Sequence, residues 1–189
     1  MWHFYLHCRS RRAEVPPFEA AHRQLCFASV MMKLGEKGSF APRPTLEGPT
    51  EPLARAVESW PGVVARTHWE LGDESIVDGA DFYVGEQELG HIHLYAEVHL
   101  ALPRKLADAV IAAKLAGPFR WSAAFVVKKV RTADDAAEAE WLFTLGYDRL
   151  RGVALETLLA RVTAEGGRSA ERRTGSRSGV ALRESSTRG

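Results

Sequence analysis

From Thr50 onward the apolar positions of this chain fall into regular periods. Leu53, Ala56, Val57 and Trp60 recur at helical spacing behind Thr50, a candidate N-cap, and Pro61-Gly62 stops that helix. Val63 to Leu71 then alternates, with Val63, Ala65, Thr67, Trp69 and Leu71 on one side and Val64, Arg66, His68 and Glu70 on the other, which predicts a half-buried strand. The segment 72–79, GDESIVDG, reads as a loop, Asp81 to Val84 as a second strand and Gly85-Glu86 as a tight turn. In QELGHIHLYAEVHLAL, residues 87–102, Ile92, Leu94, Val98, Leu100 and Leu102 share one parity. His91, His93, Tyr95, Glu97 and His99 share the other, so three histidines stand on one face of a sheet.

Pro103 opens a helix with Leu106, Ala109, Val110 and Ala113 as its apolar stripe, closed by Gly117-Pro118. Trp121 to Arg131 reads as a strand. Thr132 with Asp134 and Asp135 signals the start of a longer helix, whose inner face is Ala139, Leu142, Phe143, Gly146 and Leu150. Gly152 breaks it, and Val153 to Ala164 forms a short last helix. Strands in succession without βαβ alternation predict an α+β fold, a mostly antiparallel sheet of four to five strands with helices packed on one face.

Length and charge refine this picture. At 189 residues, of which 46% are hydrophobic, the chain holds one domain with appendages and is short for a β/α barrel, which takes about 250. The net charge of +1 conceals an asymmetry: +3 over residues 1–50, −6 over 51–165 and +4 over 166–189. An acidic centre argues against a nucleic-acid surface on the folded part. Residues 166–189 are Gly, Ser and Arg with almost no large apolar side chain, and read as a disordered basic tail, the one place where nucleic acid could bind.

Residues 1–48 read as an irregular extension and linker, broken by Pro42, Pro44 and Gly48, and Met31-Met32 suggests that 1–30 precede the natural start. Residues 49–165 are then the domain. The longest apolar run near the N-terminus, Cys26 to Met32, is too short for a signal sequence or a membrane span, which places the protein in the cytoplasm and off the membrane. Cys8 and Cys26 lack metal or redox spacing and read as reduced thiols.

WPGVV at 60–64, QELGHIHLYAEVHLALP at 87–103, RWSAAFVV at 120–127 and LFTLGYDRL at 142–150 resemble, in order and spacing, the small luciferase-domain family of bacteria and fungi, over about residues 52–151. The family is largely uncharacterised, so the resemblance implies an α+β domain and no particular reaction. Gly85, His91-x-His93 and Glu97 are also similar to the first metal motif of the cupins, which implies His91, His93 and Glu97 as ligands. The second cupin motif has no counterpart, because no histidine follows His99.

The candidate chemistry is therefore a transition-metal site, with Zn, Fe or Mn held by His91, His93, His99 and Glu97. Reach decides the third histidine. On one straight strand His93 and His99 lie about 20 Å apart, at about 3.3 Å per residue. A three-residue turn at Tyr95–Glu97 instead pairs Leu94 with Val98, His93 with His99 and Ile92 with Leu100, and lets the rings converge. Tyr95 and Ala96 are poor turn formers. The plain alternative is that the histidines line the solvent side of the sheet, bonded to Tyr95, Glu88 or Glu97. His68 reads as an orphan polar residue.

Three functions follow: a small binding or accessory module for a small molecule or protein, a metal-dependent enzyme of oxygenase or isomerase type, and nucleic-acid binding through the tail. No Ser-His-Asp set, Walker loop or dinucleotide fingerprint is present.

Overall fold

The computed structural model of the chain describes residues 38–184 except Gly72 and Ala124, with side chains described as far as Arg172. Cys8, Cys26 and the proposed upstream extension lie outside the described residues. The elements run α1 (Thr50–Glu58), β1 (Val63–Glu70), β2 (Asp73–Val84), β3 (Gln87–His93), β4 (Glu97–Ala101), α2 (Arg104–Ala112), β5 (Gly117–Pro118), β6 (Phe125–Lys129), α3 (Ala133–Leu150) and α4 (Leu155–Glu184). The six strands form one antiparallel sheet in the order β1-β2-β3-β4-β6-β5, an α+β fold with one strand more than the upper count expected. That open order is not the closed barrel a cupin needs.

One face of the sheet carries the core. Ala80, Phe82, Ile92, Val98, Leu100 and Val126 are buried there, and Leu53 and Val57 of α1, Leu106 and Val110 of α2, Leu142 and Phe143 of α3 and Leu158 of α4 cover them. Each large side chain buried in this way contributes about 1.5–3 kcal/mol. Thr132 and Asp135 close a reciprocal capping box at the start of α3, as the sequence suggests. Tyr147 near its end donates to the carbonyl of Pro61, at 2.8 Å, and so ties α3 to the turn before β1.

Several boundaries differ from expectation. Residues 73–79 are strand, not loop: β2 begins at Asp73, and its first half reaches β1 through register shifts on both sides of Trp69. Gly79 marks no turn but a close approach, since a Cβ there would stand 2.0 Å from the carbonyl oxygen of Ile92 on β3. Thr50 is the first helical residue behind Pro49, its hydroxyl donating back to the Glu47 carbonyl. Gly117-Pro118 does not close α2; it is a two-residue edge strand, where a proline is tolerated because no ladder bond is lost. β6 starts at Phe125 rather than Trp121, and residues 119–123 form the loop before it.

The last helix runs on to Glu184, through Gly166-Gly167. A Cβ at Gly166 would lie 3.0 Å from that of Ala113, so a small residue lets α4 pass α2 closely, and Ser169 is buried. At the other end, residues 38–48 lie along the outer edge of β1. Thr67 N–H donates to the Ala41 carbonyl, the Arg66 guanidinium donates to the carbonyls of Gly38 and Ser39, and Leu46 joins the core. No helix among the described residues is long and apolar enough to cross a membrane.

Candidate metal centre

The four histidines within residues 38–184 all meet on the sheet face opposite the helices. The β3–β4 hairpin brings three of them together. Its loop is Leu94–Ala96, so His91 pairs with His99, Ile92 with Val98 and Gly90 with Leu100; the loop has the three residues considered from sequence but lies one residue earlier, so that His99 faces His91 rather than His93. Ala96 takes the left-handed conformation at φ 61°. The cost, about 1–2 kcal/mol for a non-glycine residue, is met by two backbone bonds, Ala96 N–H to His93 and Val130 N–H to Ala96. The rings of His91, His93 and His99 then lie 4.5–4.9 Å apart between centroids.

β1 supplies the fourth. His68 pairs in register with Gly79, which pairs in turn with His93. With no side chain between them, the His68 and His93 rings approach to 5.1 Å, and His68 stacks flat on His91 at 4.2 Å. His91, His93 and His99 are each about 95% buried, so the solvent exposure expected of this face is not found, although two of the partners expected there, Glu88 and Glu97, do bond His91 and His99.

Every one of the four rings has a carboxylate on one nitrogen. His68 donates Nδ1–H to Asp81 at 2.8 Å, His91 to Glu88 at 2.9 Å and His93 to Asp78 at 2.8 Å, while His99 donates Nε2–H to Glu97 at 3.0 Å. Glu88 reaches His91 because β3 bulges: Tyr83 pairs with Glu88 but Phe82 with Gly90, so Leu89 is an extra residue that turns Glu88 onto the histidine face.

These bonds fix the tautomers, and the opposite nitrogens of His91, His93 and His99 are left as lone pairs. They point at one another: His91 Nε2 lies 3.0 Å and His93 Nε2 3.3 Å from His99 Nδ1. Burial holds the pKa of His99 below the usual imidazole range, against the pull of Glu97, which keeps that ring neutral. Lone pairs at such distances repel unless a proton or a cation stands among them. Two nitrogens bound tetrahedrally at about 2.0–2.1 Å from one ion are separated by about 3.3 Å, close to the spacing found. His68, His91 and His93 also place ligand atoms within 4.8 Å of one another. Imidazoles whose outer N–H groups rest on carboxylates are the usual arrangement around a metal.

Above the rings opens a pocket of about 420 Å³. Leu71, Tyr95, Phe119, Trp121 and Phe125 form its apolar wall, and Glu70 and Asp78 supply its carboxylates. Tyr95 stacks on His93 at 4.6 Å, and burial, with Asp78 and Glu97 nearby, pushes its phenol up to about 12, so it stays protonated. A pocket of this size and lining suits a small molecule.

Residues 86–146 match the luciferase-domain family model. The matched stretch starts at the β2–β3 turn and ends within α3, and so contains His91, His93, Glu97, His99 and the Phe119–Phe125 wall of the pocket. It is shorter than the resemblance noted in the sequence. His68, Asp78 and Asp81, on β1 and β2, lie outside the luciferase-domain match. No curated protein and no solved structure matches the chain.

Of the residues singled out from sequence, the fold brings His91, His93 and His99 together, and stations Glu97 on the outer nitrogen of His99. Sequence reasoning missed His68, Asp78 and Asp81, and named Glu88 only as a partner of histidines on a solvent-side face. Gly90, two residues after Glu88, was the available sign of a bulge.

Proposed function

We propose that this domain binds one divalent first-row transition ion (Zn, Fe or Mn) among His68, His91, His93 and His99, and uses it on a small molecule held in the adjoining pocket. The observation that carries the reading is that His91 Nε2 and His93 Nε2 both turn inward to His99 Nδ1, at 3.0 and 3.3 Å, while each of these rings is bonded outward to its own carboxylate. In such a set Asp81, Glu88, Asp78 and Glu97 orient the ligand rings and raise their basicity. The bound ion would act as a Lewis acid or bind oxygen. This reading favours a metal-dependent enzyme over a passive accessory module.

Elemental analysis of the full chain, purified without a histidine tag, tests the proposal beside a His91→Ala/His93→Ala double variant. About one equivalent of metal, lost in the variant, is expected. A chain that takes up no Zn, Fe or Mn after incubation with each would overturn it. Cobalt(II) substitution adds an optical readout, with visible bands of tetrahedral intensity expected in the wild type alone.

A further inference from the structure

The pocket carries more negative charge than its aromatic wall suggests. Glu70 and Asp78 line it directly, and Asp81, Glu88 and Glu97 lie just behind, on the histidines. No Lys or Arg lines it. Two guanidiniums lie nearby: Arg66, opposite Asp81 in the β1–β2 register and directed at the Gly38 and Ser39 carbonyls, and Arg120, stacked on Trp121 at 3.9 Å. Lys129 stands opposite Glu97 in the β4–β6 register, so five carboxylates against three cations leave the site negative by two, and a bound divalent ion brings it to neutrality.

Tyr95, Phe119 and Phe125 add ring faces to this negative field. Aromatic faces flanked by carboxylates are the arrangement that attracts an organic cation. We propose that the ligand is a small apolar molecule bearing a protonated amine, and that the pocket rejects carboxylates. The ammonium group sits toward Glu70 and Asp78, and the apolar body lies against Phe119 and Phe125. The inference concerns the ligand of the site described above and rests on the pocket's role there; its charge argument is strongest without the ion, and with the ion it rests on Glu70 and Asp78 in the lining.

Three probes of one shape test it by calorimetry on the full chain at pH 7: 1-naphthylmethylamine, 1-naphthalenemethanol and 1-naphthoic acid. The amine is expected to bind at least tenfold more tightly than the acid, with the alcohol between them. Glu70→Gln, at the exposed rim and away from the histidines, is expected to narrow that ratio several-fold while leaving the alcohol unchanged. The series is run on chain stripped with chelator and again after metal addition, and the preference is expected to be steeper in the stripped protein. Naphthoate binding as tightly as the amine in the stripped chain overturns the proposal, as does the absence of binding by all three at millimolar concentration. Naphthoate preferred only after metal addition overturns it too, while supporting the metal centre. Absence of metal uptake, with the amine preference intact, fails the metal centre and leaves the charge inference standing.

Discussion

Gly79→Ala tests the link between fold and site most directly. The added Cβ would stand 2.0 Å from the Ile92 carbonyl oxygen and 2.9 Å from the Cα of His93, where real contacts begin near 3 Å. β2 and β3 must separate by about 1 Å, at backbone that no rotamer change can relieve. The shift weakens the ladder around the Gly79–His93 pair, each bond lost there costing about 1 kcal/mol and the strain a further 1–3 kcal/mol. A total of about 3 kcal/mol is expected, which lowers Tm by about 6–12 °C in a domain of this size. The same movement carries His93 away from His68, so cobalt or zinc affinity falls as well. Thermal unfolding followed by circular dichroism measures the first effect, and a competitive chelator titration the second. Gly167→Ala is the control: nothing lies within 4 Å of its Cβ, and inside α4 it should stabilise by about 0.5–1 kcal/mol. A Gly79→Ala protein melting within 2 °C of wild type would refute the close approach of β2 to β3.

Other consequences are equally direct. Glu88→Gln keeps the shape of the side chain but removes the charge on His91, and should cost about tenfold in metal affinity, with Glu88→Ala costing up to about a hundredfold; an unchanged chelator titration would refute the orienting role. The Arg43 guanidinium bonded to Glu51 holds that carboxyl down at about 2, below its usual range, so the pair stabilises the fold above pH 4.5 and its contribution is lost as pH falls from 4.5 toward 2. Glu51→Gln should lower stability at pH 7 by about 1 kcal/mol after solvent screening and flatten urea midpoints between pH 5 and pH 3. Thr132→Ala removes the capping box of α3 and should cost about 1 kcal/mol, read from the same urea midpoints.

Parity was the part of the site that the sequence made legible. Alternation along residues 87–102 placed His91, His93 and His99 on one face, and that survives in the fold because a side chain's face depends only on local pleat. Register depends on the partner strand, and there local rules failed. Ala96 adopts a conformation that its residue type disfavours, because the Val130 amide and the His93 carbonyl hold its peptide groups. Asp78 looked like loop because Gly72 and Gly79 bracket it, yet the second glycine is what lets two strands and two histidines close up. The bulge at Leu89 reverses the face of Glu88, so strict alternation assigns it to the core. His68 reads as an orphan because nothing near it in sequence partners it; its neighbours are His91 and His93, two strands away. Within the site, each miss reflects strand pairing or local geometry that spacing along the sequence does not encode. The left-handed Ala96 and the bulge at Leu89 carry a conformational cost, and their position beside groups that repel one another without a cation is a reason to look for one there.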